Sequence, residues 1–180
     1  MRIVSGKYRG RILIPPKDSS IRPTTDKVKQ AIFTKLQFFV EDKIVLDLFC
    51  GSGALGVEAI SRGAKQVTFI DKNKTNLEIA KKNVKLINED ARFVCSDYET
   101  FLKTAKEKYD LIIIDPPYAS GYYNNALKLI YEKDLLSDDG IIVCEHDKQL
   151  ENLVDYFEVF DEKRYGTIFV TYMRKFKGEE

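Results

Sequence analysis

The residues with the clearest capacity for chemistry form a glycine-rich turn at positions 51–56, Gly-Ser-Gly-Ala-Leu-Gly. This G-x-G-x-x-G pattern follows a predicted strand at 44–46 and opens a predicted helix at Ala54. Glycine lets the backbone turn tightly and approach a ligand without a Cβ atom in the way. Asp71 ends the next predicted strand, where its carboxylate can accept hydrogen bonds from ribose hydroxyls. The combination predicts a site for a nucleoside cofactor.

Acidic residues beside this turn favour S-adenosylmethionine over NAD as the cofactor. A dinucleotide needs the helix N-terminus free for its pyrophosphate, whereas Asp47 stands just before the glycines, where it can hold the ammonium end of a methionine moiety. Asp97, after the third predicted strand, can accept a hydrogen bond from an adenine amino group, although a surface carboxylate explains it equally well on its own. An NAD-dependent oxidoreductase stays an alternative, but the chain has little room for the substrate domain that it would need.

A second group of residues, Asp115-Pro116-Pro117-Tyr118, follows a fully apolar predicted strand at 111–114. Doubly wound α/β folds bind ligands at the carboxyl ends of their strands. Two prolines stiffen the loop and leave nearby carbonyls without local N–H partners. Asp115 and the Pro116 carbonyl could then accept both N–H groups of a planar exocyclic amine, with Tyr118 stacked on the base. Methyl transfer to such an amine needs alignment and desolvation rather than a metal.

The segment that follows, 119–125, contains Tyr122 and Tyr123 and has two interpretations. It could be a mobile lid that carries aromatic rings to the target. Alternatively, the two tyrosines could begin a helix that packs on the sheet, and both interpretations stay open at this point.

The elements that must position these residues alternate from Lys43 onward, because short apolar runs are separated by helical patterns. This alternation predicts an α/β fold with a mainly parallel seven-stranded sheet, covered by helices on both faces and ending in an antiparallel hairpin. The predicted strands are 44–46, 67–70, 93–95, 111–114, 140–144, 158–164 and 167–174. The predicted helices run from Thr24 or Thr25 to Phe39 and over 54–62, 75–87, 98–105 and 125–132, and Leu150, Leu153 and Val154 mark another.

Composition limits the classes of protein that need to be considered. The chain has 180 residues, 44% apolar and 32% charged, an ordinary balance for one globular domain. Three scattered cysteines without a C-x-x-C pair, and a single histidine, argue against a disulfide framework or a zinc site. The sequence lacks both a signal peptide and an apolar run of the ~20 residues that cross a bilayer. We therefore expect a cytoplasmic, monomeric protein without a metal or a membrane partner.

Basic residues are concentrated at the N-terminus. The formal net charge is +1, but residues 1–30 carry eight basic and two acidic side chains, a local charge of +6, and the remaining residues carry −5. Two short strands at 2–4 and 10–14 predict a basic hairpin, and its charge favours contact with RNA over a merely solvated arm. We therefore divide the chain into a hairpin extension at 1–23 and a methyltransferase domain at 24–180. The candidate RNA-binding residues are Arg2, Lys7, Arg9, Arg11 and Arg22.

Four segments together resemble the RsmD family of bacterial rRNA methyltransferases, whose members methylate the N2 amino group of a guanine in small-subunit rRNA. The segments are 1–11, 22–28, 46–56 and 115–118, of which the first two are the more family-specific. The resemblance implies a Rossmann-like class I methyltransferase fold and S-adenosylmethionine as the cofactor. It also implies small-subunit (16S) rRNA, or a partly assembled small ribosomal subunit, as the partner.

By this resemblance, the glycine turn and the strand ends line the cofactor site and the Asp-Pro-Pro-Tyr loop holds the base. The candidate catalytic residues are Asp115, Pro116, Pro117 and Tyr118. The candidate cofactor-binding residues are Asp47, Phe49, Gly51, Ser52, Gly53, Asp71, Lys72, Asp97 and Tyr98. Departures from the family pattern are mild: Cys50 replaces the common Ala and Gln30 a Glu. Lys27 and Lys29 replace Arg, which keeps phosphate-binding charge but loses the bidentate fork.

Other activities are compatible with parts of this pattern. An amino methyltransferase could act on adenine N6 of a nucleic acid or on a protein glutamine. The glutamine class, however, prefers Asn where this chain has Asp115, and a DNA enzyme normally needs a separate recognition region. An NAD-binding oxidoreductase and a non-catalytic RNA-binding module are the further alternatives.

Overall fold

The computed structural model describes residues 1–17, 24–117, 121–148, 150 and 155–177. The helices are α1 (Asp26–Lys35), α2 (Ala54–Ser61), α3 (Lys74–Leu86), α4 (Tyr98–Thr104) and α5 (Tyr122–Glu132). The strands are β1 (Ile44–Asp47), β2 (Gln66–Asp71), β3 (Arg92–Cys95), β4 (Tyr109–Ile114), β5 (Leu136–His146), β6 (Glu158–Tyr165) and β7 (Ile168–Arg174).

The seven strands form one sheet in the order β3-β2-β1-β4-β5-β7-β6. Strands β1 to β5 pair parallel with one another, while β7 pairs antiparallel with both β5 and β6. The predicted mainly parallel sheet with a C-terminal antiparallel hairpin is therefore confirmed. The strand order reverses between β1 and β4, so the chain leaves these two strands toward opposite sides and a crevice opens at their carboxyl ends.

Helices cover the sheet on both faces, which explains why its central strands are apolar throughout. Successive strand side chains point to opposite faces. Val45 thus packs in a cluster with residues of α1, α2 and α3, whereas its neighbour Leu46 packs with residues of α4 and α5. Ile112 and Ile113 divide between the two clusters in the same way. A strand buried on both faces needs apolar residues at every position, as the sequence shows.

Two helix boundaries differ from the predicted ones by three residues or more. Helix α1 begins where predicted, because the Thr25 side chain caps it by accepting from the Val28 N–H, but it ends at Lys35 rather than near Phe39. Helix α5 begins at Tyr122, three residues before the predicted start, because the left-handed Gly121 (φ +67°) starts it without any side-chain cap. A start of this kind leaves no Ser, Thr, Asp or Asn signal in the sequence.

The helix interpretation of the two tyrosines is the one that the structure shows. Both Tyr122 and Tyr123 belong to α5, and the buried Tyr123 donates its hydroxyl proton to the Glu145 carbonyl at 2.7 Å. Residues 119 and 120, which complete the proposed lid, lie outside the described residues.

The N-terminal hairpin, residues 1–14, pairs more sparsely than predicted. Its two arms share one isolated bridge, between Arg2 and Ile12, rather than two strands. The Ile3 N–H donates to the Arg11 carbonyl at 2.9 Å and closes the hairpin. Ile3 and Leu13 are nonetheless buried in the same cluster as α1 to α3, so this segment packs on the rest of the fold. The division of the chain at residues 23 and 24 stays a prediction.

Near the C-terminus, the hairpin of β6 and β7 with a turn at Tyr165 and Gly166 is confirmed. The predicted helix around Leu150 falls mainly on residues 151–154, which lie outside the described residues. In the ranges that the structure does describe, none of the helices has the length and apolar character to span a membrane.

Candidate active site

A cavity of about 610 Å³ opens at the carboxyl ends of β1, β2, β3 and β4. It brings together nearly all of the predicted cofactor residues and three residues of the Asp-Pro-Pro-Tyr loop. The predicted residues that line it are Asp47, Phe49, Gly51, Ser52, Asp71, Lys72, Asp97, Tyr98, Asp115, Pro116 and Pro117. Tyr118, the remaining candidate of the loop, lies outside the described residues.

The glycine turn is held by the end of the neighbouring strand. The Gly51 N–H donates to Oδ2 of Asp71 at 2.9 Å, and Gly51 has a left-handed φ of +53° with open space on the side where a Cβ would stand. Gly53 (φ +82°) packs instead against α3, where a Cβ would lie 3.0 Å from that of Ala80. Gly51 therefore keeps the cavity wall open, while Gly53 serves the close approach of α2 and α3.

Asp47 is a buried carboxylate at the floor of the cavity. It is 1% exposed, and its Oδ2 accepts from the Gly56 N–H at 3.0 Å. Burial raises the pKa of Asp47 to about 7, and the nearby Asp71 adds to the effect. A cation placed beside it would favour the ionised form, since opposite charges stabilise each other most strongly where water is excluded.

The other two predicted cofactor-binding carboxylates, Asp71 and Asp97, accept hydrogen bonds from backbone N–H groups. Asp71 accepts from the N–H of Asn73 at 2.7 Å, in addition to that of Gly51. Asp97 is the N-cap of α4 and accepts from the Thr100 N–H at 2.9 Å, and this bond lowers the pKa of Asp97. Both side chains are thus held in place by backbone N–H groups, and their oxygens can accept further hydrogen bonds from hydroxyl or amino groups.

Three aromatic rings close one side of the cavity. The ring centroid of Phe49 lies 5.3 Å from that of Tyr98 and 6.0 Å from that of Tyr122, whose ring is nearly parallel to it. The amide of Asn125 donates to the Tyr98 hydroxyl at 3.0 Å. Tyr122 was not among the predicted site residues, and the repeated tyrosine after the loop was the only signal for it. The cluster offers flat apolar surface of the kind that a nucleobase needs.

The Asp-Pro-Pro-Tyr loop begins with a carboxylate that lies beside a hydroxyl and a second carboxylate. Asp115 is half-buried, and its Oδ2 accepts from the Thr24 hydroxyl at 3.0 Å. Burial, and after it the Glu145 carboxylate, raises the pKa of Asp115 well above its usual range. Pro116 is buried and Pro117 is exposed, so the chain reaches the surface at Pro117.

Several residues at this site were missed by the sequence analysis. Thr24 precedes helix α1 and lies far from the loop in the sequence. Glu145 lies on β5, 121 residues after Thr24. No motif spans such a distance, so only the folded sheet brings them to Asp115. The other cavity-lining residues that were not predicted are Pro16, Leu48, Cys50, Ala54, Leu55, Asn73, Asn76, Ser96, Glu99 and Tyr122.

The structure places four of the five candidate RNA-binding residues on the N-terminal hairpin. Arg2, Lys7, Arg9 and Arg11 are all exposed there. Lys7 pairs with Glu89 at 3.2 Å, and Arg2 lies 3.9 Å from Asp26. Arg22 lies outside the described residues.

The interpretation of Lys29 as a phosphate-binding residue is wrong. Its side chain is fully buried, its Nζ donates to the Arg2 carbonyl, and it lies 3.6 Å from a carboxylate oxygen of Asp26 and of Glu58. A buried and paired ammonium cannot reach a phosphate. Lys29 instead ties the hairpin to helices α1 and α2.

Comparison with known proteins places this geometry in a family. A family model described as conserved hypothetical protein 95 matches residues 1–174. Ribosomal RNA small subunit methyltransferase D of Escherichia coli is 32% identical over 183 residues, with 99% of this chain and 92% of that protein covered. The chain belongs to the RsmD family.

Two further similar proteins, both named as methyltransferases, support this assignment. YlbH of Bacillus subtilis is 38% identical over 156 residues, which cover 84% of this chain and 85% of that one. The solved structure of yhhF from Escherichia coli has a TM-score of 0.87 at 32% identity, covering 97% of this chain and 98% of that chain. The RsmD resemblance and the Rossmann-like methyltransferase fold are therefore confirmed.

The cavity of this RsmD-family chain has groups that fit S-adenosylmethionine. A buried carboxylate, Asp47, suits an ammonium group, Asp71 suits hydroxyls, and the open side of Gly51 admits a ligand against the backbone. Within the described ranges, no group of three or more His, Cys, Asp or Glu side chains could hold a metal ion.

Proposed function

We propose that this protein transfers a methyl group from S-adenosylmethionine to the N2 amino group of a guanine in small-subunit rRNA. The observation that carries the proposal is the shared cavity. Asp47, Gly51 and Asp71 line the same cavity as Asp115 and Pro116, so a cofactor and an amine would meet in one space. Two reactants held in contact in this way react far faster than in solution.

The cofactor end supports a methionine moiety followed by a nucleoside. Asp47 would hold the ammonium group, and Asp71, already fixed by the Gly51 N–H, would accept from the ribose hydroxyls. Phe49 and Tyr98 would contact the adenine, with Lys72 and Ser52 along the wall and Asp97 in reach of the adenine amino group. When bound, S-adenosylmethionine supplies an electrophilic methyl group on its sulfonium.

The loop end supports an exocyclic amine as the acceptor. Asp115 would accept one N–H and the Pro116 carbonyl the other, which turns the nitrogen lone pair toward the methyl group. Pro117 lacks an N–H and cannot compete for these acceptors. The amine needs no strong base, because it attacks as the neutral group and loses its proton afterwards.

Two observations support rRNA as the substrate. The relatives from Escherichia coli and other bacteria are named ribosomal RNA small subunit methyltransferase D. The exposed Arg9 and Arg11 on the hairpin provide positive charge on a surface that a phosphate backbone can contact. Since a stacked guanine hides its amino group, the target must be unpaired or extruded when it enters the cavity.

The test is tritiated methyl transfer by the purified protein to small-subunit rRNA and to small subunits from a strain that lacks the endogenous enzyme. We expect label in N2-methylguanosine, and Asp115→Ala should abolish it while cofactor affinity measured by calorimetry stays within about twofold. Asp139→Ala, which removes an exposed carboxylate of β5, should transfer normally. Label on adenine or on protein would contradict the assignment of guanine as the target. Tighter binding of NAD than of S-adenosylmethionine would refute the methyltransferase proposal.

A further inference from the structure

The hydroxyl of Thr24 stands between two carboxylates that the fold brings together. Its Oγ1 lies 3.0 Å from Oδ2 of Asp115 and 3.0 Å from Oε2 of Glu145. Thr24 lines the main cavity and is 8% exposed, while Glu145 is 4% exposed. The three residues come from the segment before α1, the loop after β4 and strand β5.

A hydroxyl carries one proton, so Thr24 can donate to only one of these carboxylates at a time. Donation to Oδ2 of Asp115 gives the half-buried acid a hydrogen-bond partner. Because a carboxylate has two oxygens, Asp115 can receive an N–H of the target on its other oxygen while Oδ2 keeps the bond from Thr24. Glu145 competes with Asp115 for the same hydroxyl proton.

We propose that Thr24 and Glu145 are positioning residues for Asp115: the Thr24 hydroxyl holds Oδ2 so that the carboxylate receives the target amino group on its other oxygen, and Glu145, as the second acceptor of that hydroxyl and a neighbouring negative charge, sets the strength of this bond. The inference rests on the proposed function, in which Asp115 contacts this group. Glu145 acts through Thr24 and is not itself in contact with the target.

The two positioning residues act on the basicity of Asp115 in opposite directions. The Glu145 carboxylate raises the pKa of Asp115, in addition to the larger effect of burial, and the Thr24 hydrogen bond lowers it. Asp47, at the end of β1, adds a smaller upward effect. On β5, burial and, after it, the Asp115 carboxylate raise the pKa of the Cys144 thiol.

The first test needs no cofactor or RNA. Carbon-13 NMR of the carboxyl groups in aspartate-labelled protein follows the titration of Asp115, whose signal is identified by its loss in Asp115→Asn. We expect the pKa of Asp115 to fall in Glu145→Gln and to rise in Thr24→Val. Thr24→Ser keeps the hydroxyl and should titrate like the wild type, as should Asp139→Asn at the other end of β5. An unchanged pKa in both variants, or shifts in the same direction, would overturn the proposal.

The second test is the pH profile of methyl transfer. We expect Thr24→Val and Glu145→Gln to lower kcat about tenfold to a hundredfold, the range for one lost hydrogen bond to a charged group. KM for the RNA and the affinity for the cofactor should change little, and Thr24→Ser should restore most of kcat. The acid limb of the profile should move down in pH for Glu145→Gln and up for Thr24→Val.

A merely structural role for the pair would lower thermal stability without moving the acid limb, and that result would contradict the proposal. If Thr24→Val does not fold, the comparison of Glu145→Gln with Thr24→Ser decides the question. If the wild-type protein methylates no RNA, the proposed function fails, whereas the NMR titration still shows whether Thr24 and Glu145 control Asp115.

Discussion

The Nζ atom of Lys29 lies 3.6 Å from Oε2 of Glu58, and both side chains are fully buried. Glu58 also accepts from the backbone N–H groups of Val4 at 2.9 Å and Ser5 at 3.0 Å. One buried carboxylate therefore connects helix α1, helix α2 and the N-terminal hairpin. The surface that we propose for RNA contact is attached to the catalytic body by this ion pair.

Removal of the Lys29 ammonium should destabilise the whole fold. Lys29→Met keeps the apolar part of the side chain but removes one of the two cations beside the buried Glu58. Because Arg62 stays 3.0 Å from Glu58, we expect a loss of stability below the about 3–5 kcal/mol that an uncompensated buried charge costs. Lys27→Met is the matched control, because Lys27 is exposed on the same helix and should change the free energy of unfolding by less than about 0.5 kcal/mol. Urea denaturation measures both, and equal stabilities of the two variants would show that the pair contributes little.

Two glycines of the hairpin offer a second matched comparison. Gly6 and Gly10 share a φ of +86°, but a Cβ on Gly6 would lie 1.9 Å from the Ser61 carbonyl oxygen, whereas one on Gly10 meets nothing within 4 Å. Gly10→Ala should therefore cost about 1–2 kcal/mol from backbone strain alone. Gly6→Ala should lower the stability further than Gly10→Ala does, because the added Cβ displaces the hairpin from α2.

Hydrogen exchange distinguishes these outcomes at one amide. The Lys7 N–H donates to the Ser61 carbonyl at 2.7 Å, so its exchange should accelerate in Gly6→Ala and stay slow in Gly10→Ala. Equal protection in the two variants would mean that the hairpin does not depend on this close approach.

The raised pKa of Asp47 predicts a pH-dependent loss of stability. Between its ordinary value of 3.8 and about 7, the folded protein holds a proton on Asp47 that the unfolded chain has released. Stability therefore falls as pH rises through this window, by up to about 1.4 kcal/mol per pH unit. Asp47→Asn removes this contribution. The free energy of unfolding of the variant, relative to that of the wild type, should therefore increase as pH rises.

Denaturation at several pH values between 4 and 8 measures this difference. The exposed Asp139→Asn should follow the wild type at each pH. A difference between Asp47→Asn and the wild type that does not depend on pH would show that Asp47 has an ordinary pKa.

Charge reversal on the hairpin should weaken RNA binding. The double variant Arg9→Glu and Arg11→Glu should lower affinity at all RNA sequences and reduce the slope of log affinity against log salt by about 2, since each lost phosphate contact removes about 1. The binding of S-adenosylmethionine should not change, because neither arginine lines the main cavity.

Lys65→Glu with Lys106→Glu is the control for this experiment. Both lysines are exposed and precede strands β2 and β4, so they lie at the sheet edge opposite the cavity, and the change in net charge is the same. An equal loss of affinity in the control would mean that overall charge, rather than the hairpin, governs binding.

Local patterns in the sequence were sufficient to predict the sheet and the positions of the two motifs at its edge. The glycine turn and the Asp-Pro-Pro-Tyr loop each follow an apolar run, and a parallel sheet places the ends of such runs at one edge. Asp47, Asp71 and Asp115 consequently reach one cavity, as the motifs indicated.

Contacts between distant segments could not be predicted in this way. As charged residues of two helices, Lys29 and Glu58 would be expected on exposed helix surfaces. They are buried because the hairpin packs over both helices. Thr24 and Glu145 are separated by 121 residues in the sequence. Glu145 lies near Asp115 because β5 pairs with β4, which Asp115 follows. Helix α5 starts at a glycine, which carries none of the usual capping signals.

Nucleoside mass spectrometry of small-subunit rRNA from cells that lack this protein tests the central proposal most directly. We predict the loss of one N2-methylguanosine, restored by the wild-type gene and by the Asp139→Ala variant but not by Asp115→Ala. An unchanged N2-methylguanosine content in the deletion strain, or the loss of a methylated adenosine instead, would contradict the assignment of guanine N2 as the target.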